Sequence, residues 1–147
     1  MITFCVQGLP ISQGSKRPLR NKYSGRIQMV ESSEKLKPWR ELVALTASQA
    51  MSGPPFKGPV TIIIRFRFPR PRSHYGTGRN HGTVKASAPF VPIGKPDLDK
   101  LQRAVFDALT HVIWLDDAQV VDVVASKVYD DTPGILVIVD ELTNYGF

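Results

Sequence analysis

The segment Val60–Phe68 is the feature that most constrains the fold, because apolar side chains occupy every second position along it. Successive side chains in a β-strand point to opposite faces of the sheet. One face of this segment would therefore be apolar, while the other would carry Ile63, Arg65 and Arg67. We predict a strand with one buried face, whose two arginines could line a track for phosphates or simply meet solvent.

The remaining pattern predicts a small number of helices and strands around this one. A helix is expected over about Ser33 to Met51, where apolar residues recur at helical spacing before Gly53 and Pro54. The other predicted elements are a strand at 2–9, a loop at 11–25, an edge strand at 26–30, and strands at 119–129 and 135–140 joined as a hairpin through 130–134. The expectation is a single domain over residues 1–147 of the α/β class, α+β type, with a mixed, mainly antiparallel sheet and about two helices packed on it.

Residues 69–94 form a long connection that is rich in proline, glycine, serine and cationic residues. Irregular loops of this length in a compact domain are usually functional or disordered. This basic loop could close over a bound DNA strand, and Tyr75 could stack on an unpaired base or have no role in binding. His74 and His81 lack the spacing and the cysteine partners of a structural zinc site, so none is predicted.

The charge of the chain favours an anionic partner. Nineteen Lys and Arg residues against thirteen Asp and Glu give a formal net charge of +6, which fits nucleic acid but is also compatible with an ordinary basic surface. Cys5 is the only cysteine, so no intramolecular disulfide can form, as expected for a reducing cytoplasm. No apolar run is long enough to cross a bilayer.

Carboxylates are grouped at one point of this basic chain. Asp97 and Asp99 open a helix predicted over about 97–110, and Asp116 and Asp117 follow it. We expect the helix to pack on the next strand and to bring Asp117 or Asp116 beside the first pair, where a divalent cation such as Mg²⁺ would neutralise them. The alternatives are that Asp97 only caps the helix, that Asp99 pairs with Arg103 four residues on, and that Asp116 and Asp117 form a turn.

Two stretches, Pro96–Thr110 and Trp114–Asp122, resemble the core of the RusA family of Holliday-junction resolvases. The resemblance implies a small homodimeric endonuclease from a bacterium or phage that cuts branched DNA with Mg²⁺ or Mn²⁺. It assigns essential carboxylates to Asp97, Asp99 and Asp117, with Asp116 as a further candidate at the metal. Arg103 stands where the family has a lysine, and could clamp transition-state charge without donating a proton. Asp107 is expected to hold the helix end in place.

Cationic residues around these acids are candidates for contacts with DNA phosphates. The predicted DNA-binding residues are Lys16, Arg17, Arg70, Arg72, Arg79, Lys95, Lys100 and Lys127. Two other functions remain open at this point. One is a non-catalytic DNA-binding protein on the same scaffold, and the other is a nuclease that prefers flaps, replication forks or RNA.

Overall fold

The computed structural model of the protein describes residues 1–14, 16–31 and 34–144, and leaves the side chains at 16–18 and 28–31 outside that description. Its helices are α1 (Leu36–Ala50) and α2 (Leu98–Leu109). Its strands are β1 (Ile2–Gln7), β2 (Lys16–Arg20), β3 (Ile27–Glu31), β4 (Val60–Phe68), β5 (Val120–Tyr129) and β6 (Gly134–Glu141). No helix within the described ranges is both long and apolar enough to span a membrane.

The main sheet has four strands in the order β1-β6-β4-β5. β6 lies antiparallel to both β1 and β4, whereas β5 runs parallel to β4 and forms an edge of the sheet. The predicted class, a mixed and mainly antiparallel sheet with two helices, is confirmed. The predicted hairpin between the last two strands is wrong, because β4 lies between β5 and β6.

The buried face of the sheet forms one apolar core with the two helices. Ile62, Ile64 and Phe66 of β4 are almost completely buried, together with Val43 of α1 and Leu101 of α2. Arg65 and Ile63, on the other face of β4, are exposed. The alternation in the sequence therefore predicted both the limits of β4 and its buried face.

A separate antiparallel pair, β2 and β3, occupies part of the region predicted as a loop. Its turn is held by the Asn21 side chain, whose Oδ1 accepts hydrogen bonds from the backbone N–H groups of Tyr23 and Ser24 at 2.8 and 3.2 Å. The prediction of a loop at 11–25 is thus wrong over Lys16–Arg20. A proline and three cations in that segment gave no strand signal, since proline is disfavoured in strands.

Candidate active site

Asp97 occupies the N-cap position of α2 without capping it through its side chain. The residue is extended, with φ −68° and ψ 141°, and its carboxylate accepts no hydrogen bond from the first turn. Its Oδ2 instead lies 3.4 Å from Nζ of Lys100, one turn along the helix. The Asp97 carboxylate therefore stays at the protein surface beside a cation.

The backbone before Asp97 is held by Lys127 of β5. The Lys127 ammonium donates hydrogen bonds to the carbonyl oxygens of Gly94 and Pro96, at 2.8 and 3.0 Å. A lysine with two fixed carbonyl partners has little freedom to reach a phosphate. Its observed contacts thus give it a positioning role, by fixing the segment that leads into Asp97.

Asp99 and Arg103 lie on α2 but do not form an ion pair with each other among the described residues. The Asp99 carboxylate is exposed and has no polar partner there. The Arg103 guanidinium lies against the backbone of Gly14, where an added Cβ would come within 2.6 Å of Nη1. Gly14 belongs to the segment 11–14, which precedes β2. This segment also contacts α2 through a 2.9 Å hydrogen bond from the Gln13 N–H to the Lys100 carbonyl. Gly14, at φ +132°, thereby leaves room for the Arg103 side chain.

The other acids lie at the far end of α2. The Asp116 side chain accepts a 2.9 Å hydrogen bond from the Ala118 N–H and forms a capping box with Gln119 around the 3-10 turn Asp117–Gln119. Asp117 is exposed, and its carboxylate makes no polar contact with another described residue. Asp116 therefore shapes the turn, and Asp117 is presented by it.

The residues around this turn explain why the motif folds as it does. Trp114 is fully buried, with its Nε1 donating a 3.1 Å hydrogen bond to Thr110 Oγ1 and its ring packed edge-on against Phe106. Gln119 accepts hydrogen bonds from the N–H groups of Leu115 and Asp116, and donates to the carbonyls of Phe56 and Gly58. This role of Gln119 was not predicted from the sequence, although a glutamine three residues after an aspartate is the spacing of a capping box.

Asp107, in the last turn of α2, is part of a structural network. Its Oδ2 accepts a hydrogen bond from Gln13 and lies 3.8 Å from Nη1 of Arg40, which in turn donates to Gln13 Oε1 at 3.0 Å. These contacts tie α2 to α1 and to the 11–14 segment. The expectation that Asp107 holds the helix end in place is confirmed.

A single chain does not bring the predicted metal ligands together. Asp97 lines a small depression with Ser12, Lys95 and Lys100, whereas Asp116 and Asp117 line another, of about 470 Å³, with Asp107. The twelve residues of α2 separate the two places by about 18 Å at 1.5 Å per residue. No three His, Cys, Asp or Glu residues within the described ranges could share an ion. The expectation that the helix and the next strand would bring Asp117 or Asp116 beside Asp97 and Asp99 is therefore wrong for one chain.

The predicted DNA-binding cations are distributed over several surfaces. Lys100 is paired with Asp97, and Lys95 is exposed in the same depression. Arg72 and Arg79 are exposed on the basic loop, while Arg70 is half-buried at its base. The side chains of Lys16 and Arg17 lie outside the described residues, so their predicted contacts stay predictions.

Comparison with known proteins relates this arrangement to one family. The family model for endodeoxyribonuclease RusA matches residues 10–140, which is most of the chain. The chain belongs to the RusA endodeoxyribonuclease family. The resemblance found in the sequence is thereby confirmed, and with it the membership in a family of nucleases.

Individual proteins match this chain to different extents. The uncharacterized protein YqaN of Bacillus subtilis is 34% identical over 142 residues, which cover 97% of both chains. The crossover junction endodeoxyribonucleases RusA of Escherichia coli K12 and of Enterobacteria phage 82 are each 74% identical over 27 residues, or 18% of this chain and 22% of theirs. The similarity to a named RusA nuclease is thus concentrated in a short stretch, while YqaN matches along the whole length.

Proposed function

We propose that the protein is a metal-dependent endonuclease that hydrolyses phosphodiesters in four-way junction DNA. In this proposal Asp97, Asp99 and Asp117 are the essential carboxylates, Arg103 stabilises charge on the reacting phosphate, and Mg²⁺ is the cofactor. The observation that carries it is that Asp99 and Asp117 are exposed carboxylates without polar partners among the described residues, in a basic member of an endodeoxyribonuclease family. Acids left unneutralised on a DNA-binding protein would repel phosphates unless a cation lay between them.

The fit of one chain to that cofactor is incomplete. Mg²⁺ takes oxygen ligands and is usually held by one or two carboxylates, with waters and substrate phosphate oxygens in its other positions. Asp97 and Asp99 stand at one end of α2 and Asp117 stands at the other. The three carboxylates therefore do not fit one ion within a chain.

A homodimer would resolve this separation. β5 begins directly after the turn that presents Asp117, and its far end carries Lys127, which contacts the Pro96 carbonyl next to Asp97. The two acidic positions thus lie near opposite ends of β5. We propose that the second subunit supplies Asp117 to the Asp97 and Asp99 of the first.

The free edge of β5 supports a specific arrangement for this dimer. β5 pairs only with β4 among the described strands, and Val121 and Val124 are exposed at 54% and 56%. An unpaired edge of this length is a template for pairing with another strand. Antiparallel pairing of two β5 strands about a two-fold axis would place the start of one β5 beside the end of the other. Asp117 of one subunit would then lie near Asp97 and Asp99 of the other, as the composite site requires.

Activity is tested with labelled junction, duplex, flap and fork DNA, incubated with and without Mg²⁺ or Mn²⁺. The proposal expects cleavage of the junction only with a metal. Asp99→Asn should abolish cutting while binding stays intact or becomes tighter, because a ligand and a repulsive charge are removed together. Cleavage that survives in Asp99→Asn would remove Asp99 from the site.

The composite site is tested by mixing two inactive variants, Asp99→Asn and Asp117→Asn. If the sites cross the subunit interface, a mixed dimer contains one site with all carboxylates intact, and activity returns on mixing. If each site lies within one subunit, both sites of a mixed dimer remain damaged and no activity returns. Mn²⁺ binding, followed by electron paramagnetic resonance, can be compared in the same way between the mixed variants and each variant alone. This measurement does not depend on cleavage.

The non-catalytic DNA-binding alternative makes a different prediction in the same panel. It expects tight, salt-sensitive binding to junctions with no nicking in either metal. Preferential cutting of flaps or forks would instead favour a nuclease with another branched substrate.

A further inference from the structure

The basic loop, which follows β4, has its own backbone hydrogen bonds and contains a cleft. Tyr75 and Val84 form an antiparallel bridge. Two hydrogen bonds flank it, from the Gly76 N–H to the Thr83 carbonyl at 2.9 Å and from the Lys85 N–H to the His74 carbonyl at 2.8 Å. The cleft has a volume of about 960 Å³ and is lined by Arg70, Arg72, Tyr75, Thr77, His81 and Lys85, among others.

The base of this loop cleft is fixed to the end of β5. The Arg70 guanidinium lies 4.2 Å from the centroid of the Tyr129 ring and donates a 2.7 Å hydrogen bond to the Pro89 carbonyl. The His74 ring packs edge-on against the same tyrosine, with the centroids 5.5 Å apart. These contacts hold the wall of the cleft in place before any ligand arrives, so little ordering is needed on binding.

The charge of the cleft is positive and has no internal compensation. Residues 69–95 contain five Lys or Arg residues and no Asp or Glu. Arg72 and Lys85 are exposed and have no ion pair or side-chain hydrogen bond with another described residue. Two cations with unused donors, facing one cavity, favour a phosphate.

The cleft also offers an aromatic surface. Tyr75 is half-buried and is one of the residues that line the cavity, and the bridge to Val84 fixes its backbone. A base in duplex DNA is stacked on its neighbours and cannot enter a concave site, whereas an unpaired base can stack on such a ring. A phosphate site beside an aromatic residue matches one nucleotide whose base is unpaired.

We propose that the loop cleft binds an unpaired nucleotide of a DNA strand, with the base against Tyr75 and the phosphate between Arg72 and Lys85. The proposal rests on the proposed function in one respect, namely that branched DNA supplies this nucleotide at the point where strands part. The cleft would then select DNA with unpaired bases over continuous duplex.

The test measures binding of the full-length protein to fluorescent oligothymidylate and to a duplex of equal length. Tyr75→Ala should weaken oligothymidylate binding roughly 5- to 150-fold, the range for loss of one stacked base. Duplex affinity should remain near that of wild type. Tyr75→Phe keeps the ring and should restore single-strand binding, which separates stacking from a general disturbance of the loop.

A matched pair of charge variants tests the phosphate contact. Lys85→Ala should lower oligothymidylate affinity and reduce the slope of log affinity against log salt by about 0.7. Lys57→Ala, at an exposed lysine outside both the cleft lining and the predicted DNA-binding residues, makes the same change in charge and should leave the preference for single strands unaltered. Equal effects of the two variants on that preference would overturn the phosphate assignment.

The outcomes also separate this site from the proposed function. If a folded Tyr75→Ala protein binds oligothymidylate as tightly as wild type, the cleft is not a nucleotide site. This holds even if that protein still cuts junctions. Binding that depends on Tyr75, in a protein that cuts no DNA with any metal, supports the cleft and overturns the endonuclease. A drop in duplex and single-strand affinity by the same factor in Tyr75→Ala would also reject a site for unpaired bases.

Discussion

Replacing Lys127 by methionine separates a positioning role from a phosphate contact. The change keeps an unbranched side chain of similar length but removes both hydrogen bonds from the ammonium to the carbonyls of Gly94 and Pro96. Hydrogen bonds from a charged group contribute roughly 1.5–3 kcal/mol each. Because Lys127 is only half-buried, water would partly replace them, and we expect a loss of about 2 kcal/mol in the free energy of unfolding.

Three measurements on Lys127→Met follow from this geometry. The midpoint of urea unfolding should fall by about 1 M with an unchanged m-value. Cleavage should fall by about 100-fold, because a shift of about 1 Å in the segment before Asp97 is enough for such a loss. The salt dependence of DNA binding should stay as in wild type, because no phosphate contact has been removed.

Lys95→Met is the matched control for Lys127→Met. Lys95 lies in the segment that Lys127 holds, between Gly94 and Pro96. It is exposed and its side chain has no described polar partner, so its replacement changes the charge equally without releasing the backbone. It should leave the unfolding midpoint unchanged. The reasoning is refuted if Lys127→Met unfolds like wild type while the slope of log affinity against log salt falls by about 0.9, the signature of a lost phosphate contact.

Three further predictions concern the turn, the clamp and the charge. Gln119→Ala should lower the free energy of unfolding by about 3 kcal/mol, since the amide makes four hydrogen bonds; calorimetry checks this against Gln102→Ala on α2, and equal midpoints would contradict it. Arg103→Lys should keep substantial cleavage while Arg103→Ala should lose about 100-fold or more; equal rates for wild type and Arg103→Ala would discard the clamp. Junction affinity should fall steeply between low and physiological salt, and a flat titration would argue against phosphate binding.

Local pattern predicted the individual elements better than their neighbours in space. The limits of β4 and the class of the fold follow from period-2 and helical spacing, which depend on residues close in sequence. The order of the strands in the sheet does not follow from such spacing, because the insertion of β6 between β1 and β4 is decided by long-range packing. The expected hairpin between β5 and β6 failed for this reason.

The candidate site shows the same division. The motif predicts Asp97, Asp99 and Asp117 as site residues, and it also contains the buried Trp114 that supports the turn. Closeness in sequence does not give closeness in space for these acids, because a whole helix lies between the two acidic positions. The predicted helix limits, about 97–110, already give a rise of about 21 Å.

The order of the main sheet has a consequence for the integrity of the protein. A cut at the exposed Arg79 would separate a fragment with β1 and β4 from a fragment with β5 and β6. In the sheet these strands alternate between the two fragments, so each of the three ladders joins one piece to the other. A chain nicked there by trypsin should therefore elute as one particle under native conditions, and the two pieces made separately should reassemble when they are mixed.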